Sequence, residues 1–70
     1  MRSNAKLPKA IGKKIQKQRK RVEMTQEELA ERIGISRAYI GFIEQGRNTP
    51  SLELLEKIAK AIKISLSELF

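Results

Sequence analysis

Cysteine, histidine and aspartate are absent from this 70-residue chain; all eight acidic residues are glutamate. Without cysteine there is no disulfide and no thiolate metal site, a composition that suits a reducing cytoplasm. Without histidine the commonest general base is gone, together with every imidazole metal site and every His-containing catalytic triad. The Glu, Lys and Ser residues that remain form no recognisable catalytic constellation. The chain is therefore expected not to be an enzyme and to carry no cofactor, metal or small-molecule ligand. Long apolar runs are lacking too: none approaches the ~20 residues that would cross a bilayer. The first 10 residues are polar and lack the apolar stretch of a secretory signal. No membrane partner is expected, and the expected location is cytoplasmic.

What the chain has in excess is positive charge. Fifteen Lys and Arg against eight Glu leave a net charge of +7. Lys6, Lys9, Lys13, Lys14, Lys17, Arg19, Lys20 and Arg21 crowd into one short stretch, which attracts phosphate. A Lys-rich amphipathic helix also suits an acidic membrane or a partner protein, and most charge runs on small domains are solvated faces. Charge alone does not decide among these. At this length one domain is expected, burying only ~60% of its unfolded surface, and helices joined by short loops are the cheapest core to build.

The patterning is helical throughout, with no strand signal and no repeat. Residues 1–8 read as a basic, flexible arm and residues 9–70 as the folded domain. A first helix is expected to begin after Leu7–Pro8, with Ile11, Ile15 and Val22 on one face. Thr25 and Glu28 have the spacing of a capping box, flanked by Met24 and Leu29 as a hydrophobic staple. The helix they start buries Leu29, Ala30 and Ile33 and must end at Gly34, which adopts left-handed backbone at little cost. Ile35 follows as an apolar plug, Ser36 caps the next helix, and Ile40 and Ile43 turn inward. Arg37, Ala38, Gly41 and Phe42 are left facing outward until Gly46 closes that helix. Two helices this short, with the small Ala30 near their crossing, pack at the steep angle of a helix-turn-helix. Beyond the RNTP loop, Leu52, Leu55, Ile58, Ala59 and Ile62 form the inward stripe of a further helix. Ser65 and Glu68 then form a second capping box, with Ile64 and Leu69 as its staple, for a final helical turn ending at Phe70.

The run Gln26, Ala30, Gly34, Ile40, Ile43, Glu44, Gly46 resembles the helix-turn-helix core of the Cro/C1 (phage-repressor, XRE-like) family. The likeness continues through NTPSLELLEKIAKAI, similar to that family's fourth helix, and covers roughly residues 10–69. The resemblance implies an all-α, compact five-helix lambda-repressor-like domain with the helix-turn-helix at helices 2 and 3. It also implies a homodimer on a palindromic double-stranded DNA operator.

In such proteins the recognition helix, here about Arg37–Gln45, lies in the major groove and reads base edges from its N-terminal half. By position, the readers here are Arg37, Ala38, Phe42 and Tyr39. Arg37 suits bidentate pairing with guanine O6 and N7, and Ala38 and Phe42 suit thymine methyls. Both apolar residues depart from the longer polar side chains usual in the family, and Phe42 packed against a neighbouring helix is the bland alternative. Gln26 at the start of helix 2 is expected to contact phosphate and to brace the recognition helix. Ser36, Gln45, Arg47, Asn48 and Thr49 flank the reading face as phosphate donors, which set register without reading sequence. Arg19 and Glu44 match a family ion pair that ties helix 1 to the end of the recognition helix. Leu66, Leu69 and Phe70 are expected either to form dimer contacts or to close the core. Two other functions fit the same residues: a protein-interaction module, and an antitoxin or restriction–modification controller of the same fold.

Overall fold

The computed structural model describes the backbone of residues 6–70 and the side chains from Pro8 onward. Four α-helices follow one another: α1 (Lys6–Arg21), α2 (Gln26–Ile33), α3 (Arg37–Glu44) and α4 (Leu52–Ala61). A 3₁₀ turn at Leu66–Leu69 closes the chain, so the expected fifth helix is a single tight turn. The described residues contain no strand. Residues 1–5 of the expected arm lie outside the described residues. Residues 6–8 belong to α1, which starts ahead of the expected boundary. Pro8 falls within the first turn, where a backbone N–H has no helical partner to lose.

Each helix contributes to one core. Ile11 and Ile15 come from α1, Leu29 and Ala30 from α2, Ile40 and Ile43 from α3, and Leu55, Ile58, Ala59 and Ile62 from α4 and its end. Leu69 of the 3₁₀ turn is also fully buried. Each large aliphatic side chain in this set contributes about 1.5–3 kcal/mol of transfer free energy, opposed by the chain entropy lost on folding. Val22 and Ile33 are half-buried at the margin of the core.

Two expectations are corrected by burial. Leu52 is 60% exposed, not inward. It is the first residue of α4, one turn ahead of the stripe Leu55–Ile58–Ala59–Ile62, and periodicity alone does not reveal where a helix begins to be covered. Leu69 is 0% exposed, so it closes the core and cannot serve as a dimer contact, whereas Phe70 is 54% exposed.

The helix starts follow their capping residues. Thr25 accepts from the Glu28 N–H at 3.0 Å while the Glu28 carboxylate accepts from the Thr25 N–H at 2.8 Å. Ser36 and Ser51 each accept from the N–H three residues on, both at 3.1 Å. Before the 3₁₀ turn, the Glu68 carboxylate accepts from the Ser65 N–H and hydroxyl. The backbone bond, then the hydroxyl, holds that exposed carboxyl below its ordinary pKa.

The helix ends share one device. Glu23, Gly34, Gly46 and Lys63 all have positive φ, between 59° and 77°, one or two residues beyond the ends of α1, α2, α3 and α4. In each case the next N–H turns back to the helix: Met24 to Arg19, Ile35 to Ala30, Arg47 to Phe42 and Ile64 to Ala59. This is the Schellman arrangement, and only two of the four use glycine.

Candidate nucleic-acid interface

The geometry of the site depends on Glu44, the last residue of α3. Its side chain is buried, yet its carboxylate is fully engaged. Arg19 of α1 donates through Nε to Oε2 at 2.6 Å and through Nη2 to Oε1 at 3.1 Å, a bidentate pair. Gln26, the first residue of α2, donates through Nε2 to Oε1 at 2.9 Å. The third guanidinium nitrogen of Arg19 donates to the Met24 carbonyl at 2.7 Å. One carboxylate thus joins α1, the start of α2 and the end of α3. Among the described residues no buried side-chain nitrogen or oxygen lacks a partner.

Arg19 falls at i+4 from Ile15 and i+8 from Ile11, in the buried stripe of α1 where an apolar residue would otherwise stand. A lone arginine at that place demands an acidic partner, because an unpaired buried charge is strongly destabilising.

Backbone contact fixes the other side of α3. A Cβ on Gly12 would lie 2.7 Å from the Glu44 carbonyl oxygen, so only glycine lets α1 pass this close to the end of α3. Gly46 is doubly constrained: its φ is +77°, and a Cβ there would come within 2.7 Å of the Lys9 Cα.

Held in this way, α3 turns one face outward. At 100° per residue, Arg37, Gly41, Gln45, Ala38 and Phe42 sweep about 140° of arc. Arg37, Ala38, Phe42 and Gln45 are exposed and Gly41 is half-buried. Arg47, Asn48 and Thr49 continue the exposed edge until the chain dips inward at the buried Pro50. Ser36 spends one lone pair on the Tyr39 N–H, leaving its hydroxyl hydrogen to donate. Tyr39 lies at the border of the face, half-buried and packed against the core. Phe42 is 42% exposed and outside the core. Arg47 lies over its ring, with the guanidinium carbon 5.2 Å from the centroid.

Several contributions gave no signal in the sequence. Gln18 donates to the Ile62 carbonyl at 2.9 Å, satisfying the end of α4 from α1. Gly12 reads in sequence as a helix-weakening residue and in three dimensions as the closest approach of two helices. The charge run that the sequence does announce, Lys9, Lys13, Lys14, Lys17, Lys20 and Arg21 of α1, is exposed and adds to the positive surface. No group of His, Cys, Asp or Glu among the described residues is placed to hold a metal ion. No helix among them is long and apolar enough to cross a membrane.

Comparison with known proteins supplies the family. A helix-turn-helix family profile matches residues 15–69. An uncharacterised HTH-type transcriptional regulator of Archaeoglobus fulgidus is 42% identical over 57 residues, covering 81% of this chain and 80% of its own. The control protein C.MunI of a Mycoplasma species is 43% identical over 61 residues, 86% of this chain and 82% of the relative. The crystal structure of the restriction-modification controller protein C.AhdI from Aeromonas hydrophila superposes with a TM-score of 0.85 at 33% identity. That alignment covers 90% of this chain and 96% of the controller. With the capped α2–turn–α3 unit in place and these relatives matching along most of its length, the chain belongs to the Cro/C1-type helix-turn-helix family.

Proposed function

We propose that this protein is a transcriptional regulator that binds double-stranded DNA sequence-specifically, placing α3 in the major groove and performing no catalysis. The observation that carries the reading is the outward face of α3, where Arg37, Ala38 and Phe42 stand exposed on a helix locked at its far end by Glu44. Arg37 pairs with a guanine, while Ala38 and Phe42 meet thymine methyls. Tyr39 contributes from the border of the face. Gln45, Ser36, Arg47, Asn48 and Thr49 bind phosphate, and Gln26 acts first as a brace through one amide N–H, its second N–H being left to donate to a phosphate. Two protomers related by a two-fold axis present their recognition helices about 34 Å apart to a palindromic operator. The half-buried Leu66 and the exposed Phe70 are the dimer contacts in this reading. Where the site overlaps a promoter, occupancy blocks polymerase, which makes the regulator a repressor.

Selection of binding sites from random DNA at about 150 mM salt, repeated with Arg37→Ala, tests this reading. A two-fold symmetric site that loses a guanine preference in the variant supports it. Sequence-blind binding would leave the fold standing and favour a protein-interaction module instead. A narrower reading is favoured by the match to the restriction-modification controller C.AhdI, and to the control protein C.MunI, along most of their length. In it, the operator lies beside restriction and modification genes. The genes flanking this one decide that point.

A further inference from the structure

Three of the four helix ends place an apolar residue just beyond the left-handed position: Met24 after Glu23, Ile35 after Gly34 and Ile64 after Lys63. All three are half-buried and pack against the core, the usual hydrophobic accompaniment of a Schellman end. The end of α3 departs from this rule. There the same position holds Arg47, whose N–H bonds to the Phe42 carbonyl at 3.0 Å. Its side chain lies over the Phe42 ring, and the contact that elsewhere anchors the chain to the core becomes a cation on an exposed aromatic. The path to Arg47 is narrow, because Gly46 before it is pressed against Lys9 in left-handed backbone. Ring and guanidinium border an open notch with Asn48, on the rim of the outward face of α3.

We infer that Phe42 is a positioning residue for Arg47, holding the guanidinium at the rim of α3 so that the two meet DNA as one unit. The inference rests on the DNA-binding reading above. An arginine free in solution loses much rotamer freedom when it is captured by a phosphate; one laid on a ring has given up part of that freedom beforehand. The ring holds the cation without neutralising it, since a cation–π contact supplies no counter-charge. Phe42 therefore has two roles: its exposed surface meets a base edge, and its covered face aims a cation at the adjoining phosphate.

The test has two arms. In the free protein, the ring current of Phe42 should move the Arg47 side-chain proton resonances upfield. That shift should vanish in Phe42→Leu and persist in Phe42→Tyr. On the selected operator, affinity is then measured against salt for the wild type, Phe42→Leu, Arg47→Ala, the double variant and Phe42→Tyr. Arg47→Ala should lower the slope of log affinity against log salt by about 0.9. The double variant should lose clearly less than the product of the two single losses, and Phe42→Tyr should keep most of the wild-type affinity. Arg47 resonances without an upfield shift, or losses that multiply independently, would overturn the inference while leaving the DNA reading intact. A wild type with no sequence preference overturns the DNA reading itself, and the inference falls with it.

Discussion

Arg19 and Glu44, 25 residues apart in sequence, form a bidentate ion pair whose side chains are 7% and 1% exposed. Removing charges from water is costly, and this pair is compensated by geometry: Gln26 takes up further acceptor capacity of the carboxylate, and the Met24 carbonyl takes the remaining guanidinium nitrogen. Glu44→Ala should destabilise the fold by about 3–5 kcal/mol, because it strands the buried arginine. The double replacement Arg19→Met with Glu44→Leu should cost much less than that single change. Urea unfolding of the three proteins checks the ordering; a double variant as unstable as Glu44→Ala would contradict it.

The glycines separate into distinct cases. Gly34 and Gly46 both have φ of +77°, but a Cβ on Gly34 meets nothing within 4 Å, whereas one on Gly46 strikes Lys9. Gly34→Ala should therefore lose only the conformational advantage of glycine, about 1–2 kcal/mol, and Gly46→Ala distinctly more. Gly12→Ala, in ordinary helical backbone, should cost about 1–3 kcal/mol by driving α1 away from the carbonyls of Ile43 and Glu44. Thermal unfolding ranks them. Equal losses at Gly34 and Gly46 would mean that the Lys9 contact yields freely.

Glu23 and Lys63 invite the reverse change. Both are exposed, non-glycine residues in the left-handed region, with φ of 59° and 67°. Side chains there clash with the following carbonyl, so Glu23→Gly or Lys63→Gly should raise stability by about 1 kcal/mol, less the greater chain entropy of glycine when unfolded. The two sites close different helices, and their effects should add. A loss of stability in both would show that the backbone at these turns carries no strain.

These residues also mark what the sequence reveals and what it conceals. The period of Leu29, Ile40, Ile43, Ile58 and Ile62, the capping pair Thr25–Glu28 and the stop at Gly34 are local signals, and each determined its element. The expected pairing of Arg19 with Glu44 came from family resemblance, though an arginine in the apolar stripe of α1 is a physical hint toward it. Gly12 was illegible because its partner is a backbone carbonyl on another helix, and no side-chain pattern encodes that. Glu23 and Lys63 were illegible because a turn without glycine has no signature. Leu52 fits the period yet stays exposed, since periodicity describes a face and not what covers it. On the outward face of α3 the candidate readers were legible one by one, but the stacking of Arg47 on Phe42 depends on a left-handed turn between them.

Gly41 stands near the centre of that outward face, inside a helix, where glycine costs about 1 kcal/mol relative to alanine. Packing within the protein gives no reason for it: a Cβ there would meet nothing within 4 Å. Gly41→Ala should accordingly stabilise the free protein, raising its melting temperature by about 4–8 °C for a domain of this size. Bound to DNA, the same methyl group would stand between the backbone of α3 and the groove, and affinity for the selected operator should fall several-fold. The two measurements should therefore move in opposite directions, which a purely structural role for Gly41 does not allow. A variant both more stable and equally tight in binding would place Gly41 away from the closest approach and shift the reading face toward Arg37 and Ala38.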